Sequence, residues 1–327
     1  MDGSRLTPGP ARQGPSARLR AGAARALLAV LGRLPARPTL AVAAAFGRAW
    51  VRLGGPRTDV GLVNLRIAFP EWSEARRRRV LAQSVANLAR GVVEFAQLGR
   101  LGPEALRERV RVEGLENLEA VRAGAPGRGI VVITAHFGSW ELLSAAMTAH
   151  GYPITVVHRA RDEEGLDRLV ASQREAGGSE LLPRGGAARG ALAALRDGRF
   201  LAMPYDQNCD RDEGVFVPFF GRLACTRSAP ARVALRTRSA VLPVFLFREA
   251  DGVHHVARVY PAVLLPESGG DRRGDAAVLA GRMTAAVEAA IREAPAEWSW
   301  VHRRWRTQPP GEPRPYPSSR RRPALQT

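Results

Sequence analysis

Gly129-Ile130-Val131-Val132-Ile133-Thr134-Ala135-His136-Phe137-Gly138-Ser139-Trp140-Glu141-Leu142-Leu143 is the stretch whose reading decides the fold. Its first half is short, wholly apolar and rich in β-branched residues, the pattern of a strand buried on both faces. Its second half passes through Gly138 into a helical texture that runs on to His150. A histidine at the carboxyl end of a buried strand, just before a turn into a helix, sits where α/β folds place ligands. On one continuous helix His136 and Glu141 would diverge by about 140°. With His136 on the loop and the helix starting near Gly138 or Ser139, Glu141 is expected to fold back to the imidazole. A carboxylate on one ring nitrogen fixes the tautomer and leaves the other to take a proton from a hydroxyl. The same spacing also fits a purely structural hydrogen bond.

Outward from this segment, strands are expected at 154–157, 200–203, 241–247 and 253–260, and helices at 166–175, 187–196, 229–238 and 276–293. The alternation predicts an α/β fold with a mixed, mostly parallel central sheet flanked by helices. Upstream, residues 59–109 read as helical, with a break at Pro70 and a long amphipathic helix opened by Ser73. The chain divides into a disordered basic terminus (1–22), an N-terminal helical membrane-associating region (23–109), the α/β domain (110–308) and a flexible tail (309–327).

The membrane expectation rests on two apolar runs, 26–31 and 39–51, separated by Arg33, Pro35, Arg37 and Pro38. Neither reaches the roughly 20 apolar residues that span a bilayer, and no small-residue cleavage site follows the first. Flanked by Arg18, Arg20, Arg25, Arg33, Arg37, Arg48 and Arg52, the runs suit an interfacial anchor on an anionic membrane. A pair of core helices and a tilted single span are the other readings.

Composition removes several chemistries. All 49 basic side chains are arginine, against 31 acidic ones, for a net charge of +18. Without lysine there is no Walker A lysine, no Schiff base and no lysine general base. The arginine excess fits genomic codon bias, and it equally suits anionic partners, whose phosphates arginine grips bidentately. Nucleic acid is not the expected partner: aromatic content is 6%, the arginines are spread out, and no recognised binding module occurs. Cys209 and Cys225 are too few for a disulfide scaffold or structural zinc site and fit a reducing compartment. The six histidines lack metal-ligand spacing, so no metal is expected.

A second cluster, Met203-Pro204-Tyr205-Asp206-Gln207-Asn208, ends another expected strand and leads through Arg211-Asp212-Glu213-Gly214 to Val215-Phe216-Val217-Pro218-Phe219-Phe220-Gly221. Polar groups beside an apolar slot would suit an acyl chain on a polar head; the aromatic strip reads equally well as core packing.

Together these elements resemble the lysophospholipid acyltransferase superfamily, and within it the lipid A late acyltransferases. The resemblance spans roughly 61–309 and is carried by Asn64-Leu65-Arg66-Ile67-Ala68-Phe69-Pro70-Glu71, His136-x4-Glu141, Val157-His158-Arg159, Tyr205-Asp206-Gln207, Val217-Pro218-Phe219-Phe220-Gly221 and Trp300-Val301-His302-Arg303-Arg304-Trp305-Arg306. It implies a glycerolipid acyltransferase-like fold and an O-acyltransferase. His136 would be general base with Glu141 orienting it; Arg159, Asp206, Gln207, Arg303 and Arg304 would bind substrate, although Arg303 and Arg304 equally suit a clamp that holds the C-terminal segment on the core by pairing with carboxylates. The acyl donor would be a thioester on acyl carrier protein or coenzyme A, serving as co-substrate with no further cofactor. The acceptor would be an anionic glycolipid of the lipid A type, at the cytoplasmic face of a bacterial inner membrane. Another glycolipid, such as a phosphatidylinositol mannoside, or a simpler phospholipid fits the same residues. His158 stands where a tyrosine is common, and Tyr205 where a proline is common, which bears on acceptor identity.

Overall fold

The structure, a computed structural model, describes residues 15–158, 163–183, 187–267 and 271–316. Four helices come first: α1 (Pro15–Leu31), α2 (Ala36–Leu53), α3 (Pro56–Ala68) and α4 (Glu74–Gln97). The expectation of disorder through residue 22 is corrected for 15–22, which belong to α1. Ser73 caps α4, its Oγ accepting from the Arg76 N–H, the usual way to satisfy a first-turn donor. Leu40, Ala44, Gly47 and Val51 line one face of α2 and bury it against α4. Gly47 is obligatory there: a Cβ would lie 2.7 Å from the Val85 carbonyl oxygen and 2.8 Å from the Ala86 Cα.

After α5 (Pro103–Arg109) comes the α/β part: β1 (Val110–Glu113), α6 (Leu115–Gly124), β2 (Ile130–Thr134), α7 (Trp140–Ala149), β3 (Ile154–His158), α8 (Glu164–Ala176), β4 (Glu180–Pro183), α9 (Ala187–Arg196) and β5 (Phe200–Pro204). An antiparallel hairpin, β6 (Gly214–Phe219) and β7 (Arg222–Arg227), stands apart from the main sheet, before α10 (Ala229–Thr237), β8 (Val241–Arg248), β9 (His255–Val259) and α11 (Arg272–Glu293). The seven-stranded sheet has the order β1-β9-β8-β2-β5-β3-β4. Strands β8, β2, β5, β3 and β4 are mutually parallel; β9 runs antiparallel to β8, and β1 is parallel to β9. The expected mixed, mostly parallel sheet is therefore present. The short strands β1 and β4 and the hairpin lay outside the sequence expectation.

Two apolar layers sandwich the sheet. One joins α3, α4, the hairpin and α11 to the face bearing Val131, Ile133 and Phe245. The other joins Leu98, Leu106 and α7 to Ile130, Val132 and Leu246. Residues from before and after position 109 share both layers, so that boundary does not separate two cores. Helix α4 is also tied to β8 by a buried ion pair, Glu94 taking two bonds from Arg248 at 2.6 and 2.8 Å. The expected loose tail is corrected for 309–316: buried Tyr316 donates its hydroxyl to Asn64 Oδ1 at 2.6 Å and accepts the Trp305 N–H at 3.0 Å.

Among the described residues, no helix is long and apolar enough to cross a membrane. Helix α2 is nevertheless apolar on two sides. Opposite its buried face, Val42, Phe46 and Leu53 are exposed at spacings of four and seven, which align on one helical face. Leu19, Leu27, Val30 and Leu34 of α1 and its turn are exposed as well.

Candidate active site

Sheet register creates the site. In the parallel pair β2–β5, Thr134 lies opposite Pro204, so His136 and Asp206, each two residues beyond, leave the sheet side by side. The Tyr205 N–H donates to the Thr134 carbonyl at 2.8 Å and keeps the two chains together past the last strand residue. His136 Nδ1 lies 2.9 Å from Asp206 Oδ1, and the His136 backbone N–H donates to Oδ2 at 3.0 Å. Asp206 Oδ2 also accepts the Trp298 indole N–H at 2.8 Å. The next residues turn sharply at Gly138, where φ is +56° and a Cβ would sit 2.1 Å from the Leu246 carbonyl oxygen; only glycine fits.

Electrostatics follow from this packing. Asp206 is 3% exposed, and burial alone would raise its pKa. The His136 ring, the Trp298 N–H and the His136 backbone N–H outweigh that and hold the carboxyl far below its usual range. For His136, burial disfavours the charged ring. Asp206 first, and Glu141 at longer range, overcome it and raise the pKa above 6.5. With its Nδ1–H directed to Asp206, the neutral imidazole presents Nε2 as an acceptor. That nitrogen lies 3.1 Å from the Gln207 Nε2 amide, in a side chain that is 24% exposed. Beside it, burial pushes His302 down to about 4; the neutral ring accepts the Asn208 N–H at 3.1 Å.

The expected contact between Glu141 and the imidazole is corrected: the carboxylate on the ring is that of Asp206. Because α7 begins at Trp140, Glu141 lies in its first turn and faces α8. There Arg174 grips it bidentately at 2.7 and 2.8 Å, and the Trp140 indole N–H donates to it at 3.1 Å. Glu141 thereby fixes the indole whose ring packs edge-on against His136, centroids 4.9 Å apart. Trp140 is also one wall of a cavity of about 190 Å³, completed mainly by Leu88, Gly91, Val92 and Phe95 of α4 and Val170 of α8. An apolar chamber thus adjoins a carboxylate-held histidine. Among the described residues, no group of three His, Cys, Asp or Glu side chains could hold a metal ion.

A family model described as bacterial lipid A biosynthesis acyltransferase matches residues 19–307. The chain belongs to that family. It is similar to the lipid A biosynthesis lauroyltransferase of Escherichia coli, 27% identical over 83% of this chain and 86% of that one. The lipid A biosynthesis myristoyltransferase of the same organism is 26% identical over 84% and 83%. Among solved structures, the 1-acyl-sn-glycerophosphate acyltransferase of Thermotoga maritima aligns with a TM-score of 0.35 at 16% identity, covering 73% of this chain and 96% of that one. This protein is an acyltransferase.

The other residues singled out in this acyltransferase's sequence divide three ways. Gln207 stands at the imidazole, as described. Arg159 lies outside the described residues. The reading of Arg304 as a substrate contact is corrected: it has no exposed surface, donates to the Gln207 and Cys225 carbonyls and the Thr226 hydroxyl, and lies 5.0 Å from the Phe219 ring centroid. It clamps the C-terminal segment onto β7. Arg303 is half-buried, 6.0 Å from the Tyr316 ring centroid. The aromatic strip is core: Phe219 packs against Trp298 and Trp305, and Phe220, in the hairpin turn at φ +51°, packs against Trp300. The sequence reading missed Trp298, Arg174 and the polar residues that brace the site from α3 and α4. The signal for the last was Asn64, Ser84 and Asn87, polar side chains at positions that face the core.

Proposed function

We propose that this acyltransferase moves a fatty acyl chain from a thioester, on acyl carrier protein or coenzyme A, to a hydroxyl of a lipid A-type glycolipid precursor, with His136 as general base. The observation that carries the reading is His136 held through Nδ1 by a buried carboxylate, with Nε2 turned to the Gln207 amide and the ring packed on Trp140, a wall of an apolar chamber. Nε2 takes the acceptor hydroxyl's proton, exchanging the Gln207 amide for the substrate, as the oxygen attacks the thioester carbonyl. The imidazolium that forms is stabilised by Asp206 and returns its proton to the departing thiolate. The new ester forms as the thioester carbon–sulfur bond breaks, so charge and protons balance without an acyl-enzyme. The apolar chamber suits the acyl chain, and Trp140 links it to the base. Family membership supports the lipid A-type acceptor; both the donor carrier and that acceptor are tested together. The full-length protein is incubated with each donor and, in turn, an under-acylated phosphorylated disaccharide lipid, a phosphatidylinositol mannoside and a lysophospholipid. Mass spectrometry is expected to find one added acyl ester on the disaccharide lipid. Acylation of another acceptor alone would overturn the assignment.

We further propose that α1 and α2 seat the enzyme on the cytoplasmic face of the inner membrane. Exposed Val42, Phe46 and Leu53 supply insertion. The neighbouring arginines attract anionic headgroups, each contributing about 1 kcal/mol near the surface. Phe46→Glu is expected to weaken sedimentation with anionic vesicles at least tenfold, while high salt alone leaves the parent protein bound. Complete release of the parent by salt would reduce the interaction to electrostatics and remove the role of α2's apolar face.

A further inference from the structure

Three tryptophans, Trp298, Trp300 and Trp305, lie within one short C-terminal segment, each fully buried. Their indole N–H groups have different destinations. Trp300 donates to the Pro295 carbonyl at 2.7 Å, within its own segment. Trp305 Nε1 has no hydrogen-bond partner. Trp298 alone of the three addresses the catalytic pair, donating to Asp206 Oδ2 at 2.8 Å.

We infer that Trp298 is a positioning residue for the reaction, fixing the Asp206 carboxylate and, through it, the tautomer and aim of His136. The inference rests on the reading of His136 as the base. A carboxylate can rotate about its last bond, and each oxygen here has an assigned donor. Oδ1 takes the His136 ring N–H, and Oδ2 takes the His136 backbone N–H and the indole N–H. Remove the indole and both remaining donors belong to His136 itself. The pair would then lack its anchor to the rest of the protein on the Oδ2 side.

The anchor is itself held from several directions. Trp298 packs edge-on against Trp300 and Phe219, with centroids 4.6 and 5.6 Å away. Its carbonyl accepts the Ser84 hydroxyl at 2.5 Å. The adjoining Ala296 carbonyl accepts from Asn87 at 3.1 Å, and the Trp300 carbonyl from Asn64 at 2.6 Å. The same strap grips the histidine loop along its backbone. Trp298 forms an antiparallel bridge with Phe137, the Ser299 N–H donates to the His136 carbonyl at 3.0 Å, and the Gly138 N–H donates to the Glu297 carbonyl at 2.9 Å. Trp298 therefore joins α4, the C-terminal strap and the catalytic carboxylate in one continuous set of contacts.

A tryptophan that merely filled the core would give a different result on loss of its N–H, and the neighbouring tryptophans supply matched controls. Trp298→Phe, Trp300→Phe and Trp305→Phe remove similar volume, but only the first removes a donor to Asp206. With one donor fewer, the carboxylate is less neutralised and attracts the imidazolium more strongly. Trp298→Phe is expected to lower kcat about tenfold or more through misalignment, with KM for donor and acceptor within twofold. The acid limb of the pH–rate profile should move to higher pH. The two control variants should retain kcat and the limb. Nitrogen-15 NMR of the His136 ring reads the same shift in its titration without any turnover, so it stays informative even if His136→Ala proves active and the base reading fails. If Trp298→Phe does not fold, Trp298→benzothienylalanine keeps the bicycle and omits only the N–H. An unmoved His136 titration in either folded variant, or an equal kcat loss in the controls, would overturn the positioning role.

Discussion

Asp206→Asn is expected to cut turnover by roughly 10²- to 10⁴-fold in a protein that still folds. The amide is nearly isosteric, but it carries no charge and can turn its NH2 toward His136 Nδ1. The ring proton then moves to Nε2, the nitrogen that must be an acceptor, and the imidazolium loses its counter-charge. His136→Ala should reach the same low rate, and the double variant should fall little further, since the two residues act as a unit. The pH profiles separate the roles. In the parent, Asp206 raises the His136 pKa above 6.5, so activity is expected to climb with pH through a limb above that value. In Asp206→Asn the residual limb should move to lower pH, opposite to the shift expected from Trp298→Phe. Stability carries a matching signature. The depressed Asp206 pKa stabilises the fold above its ordinary 3.8 and is lost as pH falls. The raised His136 pKa stabilises below 6.5 and is lost as pH rises through the folded value. The pair's contribution is thus full between those values, and Asp206→Asn should flatten that part of the melting-temperature profile. Turnover of Asp206→Asn within tenfold of the parent would show that His136 works without a carboxylate partner.

Arg304→Met is expected to destabilise the protein by about 3 kcal/mol, visible as a melting temperature lower by roughly 5–10 °C. The side chain is fully buried and supplies bonds to the Gln207 carbonyl, the Cys225 carbonyl and Thr226 Oγ1. Methionine fills similar space and relieves the burial of a charge, but leaves those acceptors buried without donors. Arg304→Lys keeps the charge, yet a single ammonium cannot reproduce the fork that reaches both chains, so it should also melt early. Because one bond ends on Gln207, next to Asp206, loosening the clamp should lower the rate as well. An Arg304→Lys protein that melts with the parent but loses acceptor affinity would return this residue to substrate binding.

The sequence by itself determined the elements and the two strand ends that matter. The apolar run 130–134 reads as a buried strand because a central strand has no polar face. Pro70 and Ser73 mark a helix break and a cap because local chemistry settles both. His136 and Asp206 each follow such a strand, so both were legible as site residues one at a time. Their partnership was not, because 70 positions separate them and only the in-register β2–β5 pairing, Thr134 opposite Pro204, sets them side by side. A loop histidine followed closely by a helix start suggested Glu141 instead; the start of α7 at Trp140 and the reach of Arg174 from α8 turned it away. Arg304 resembled a phosphate ligand for the same reason. An arginine's type names its possible partners, and only packing decides whether those are a substrate's oxygens or the protein's own buried carbonyls. Trp298 belongs to the same class: a buried indole is common, and what its N–H touches depends on a strap closing over a loop more than 150 residues upstream. Local hydrogen-bond and hydrophobic patterns therefore fixed what each segment would be, while long-range register and burial decided which side chains meet.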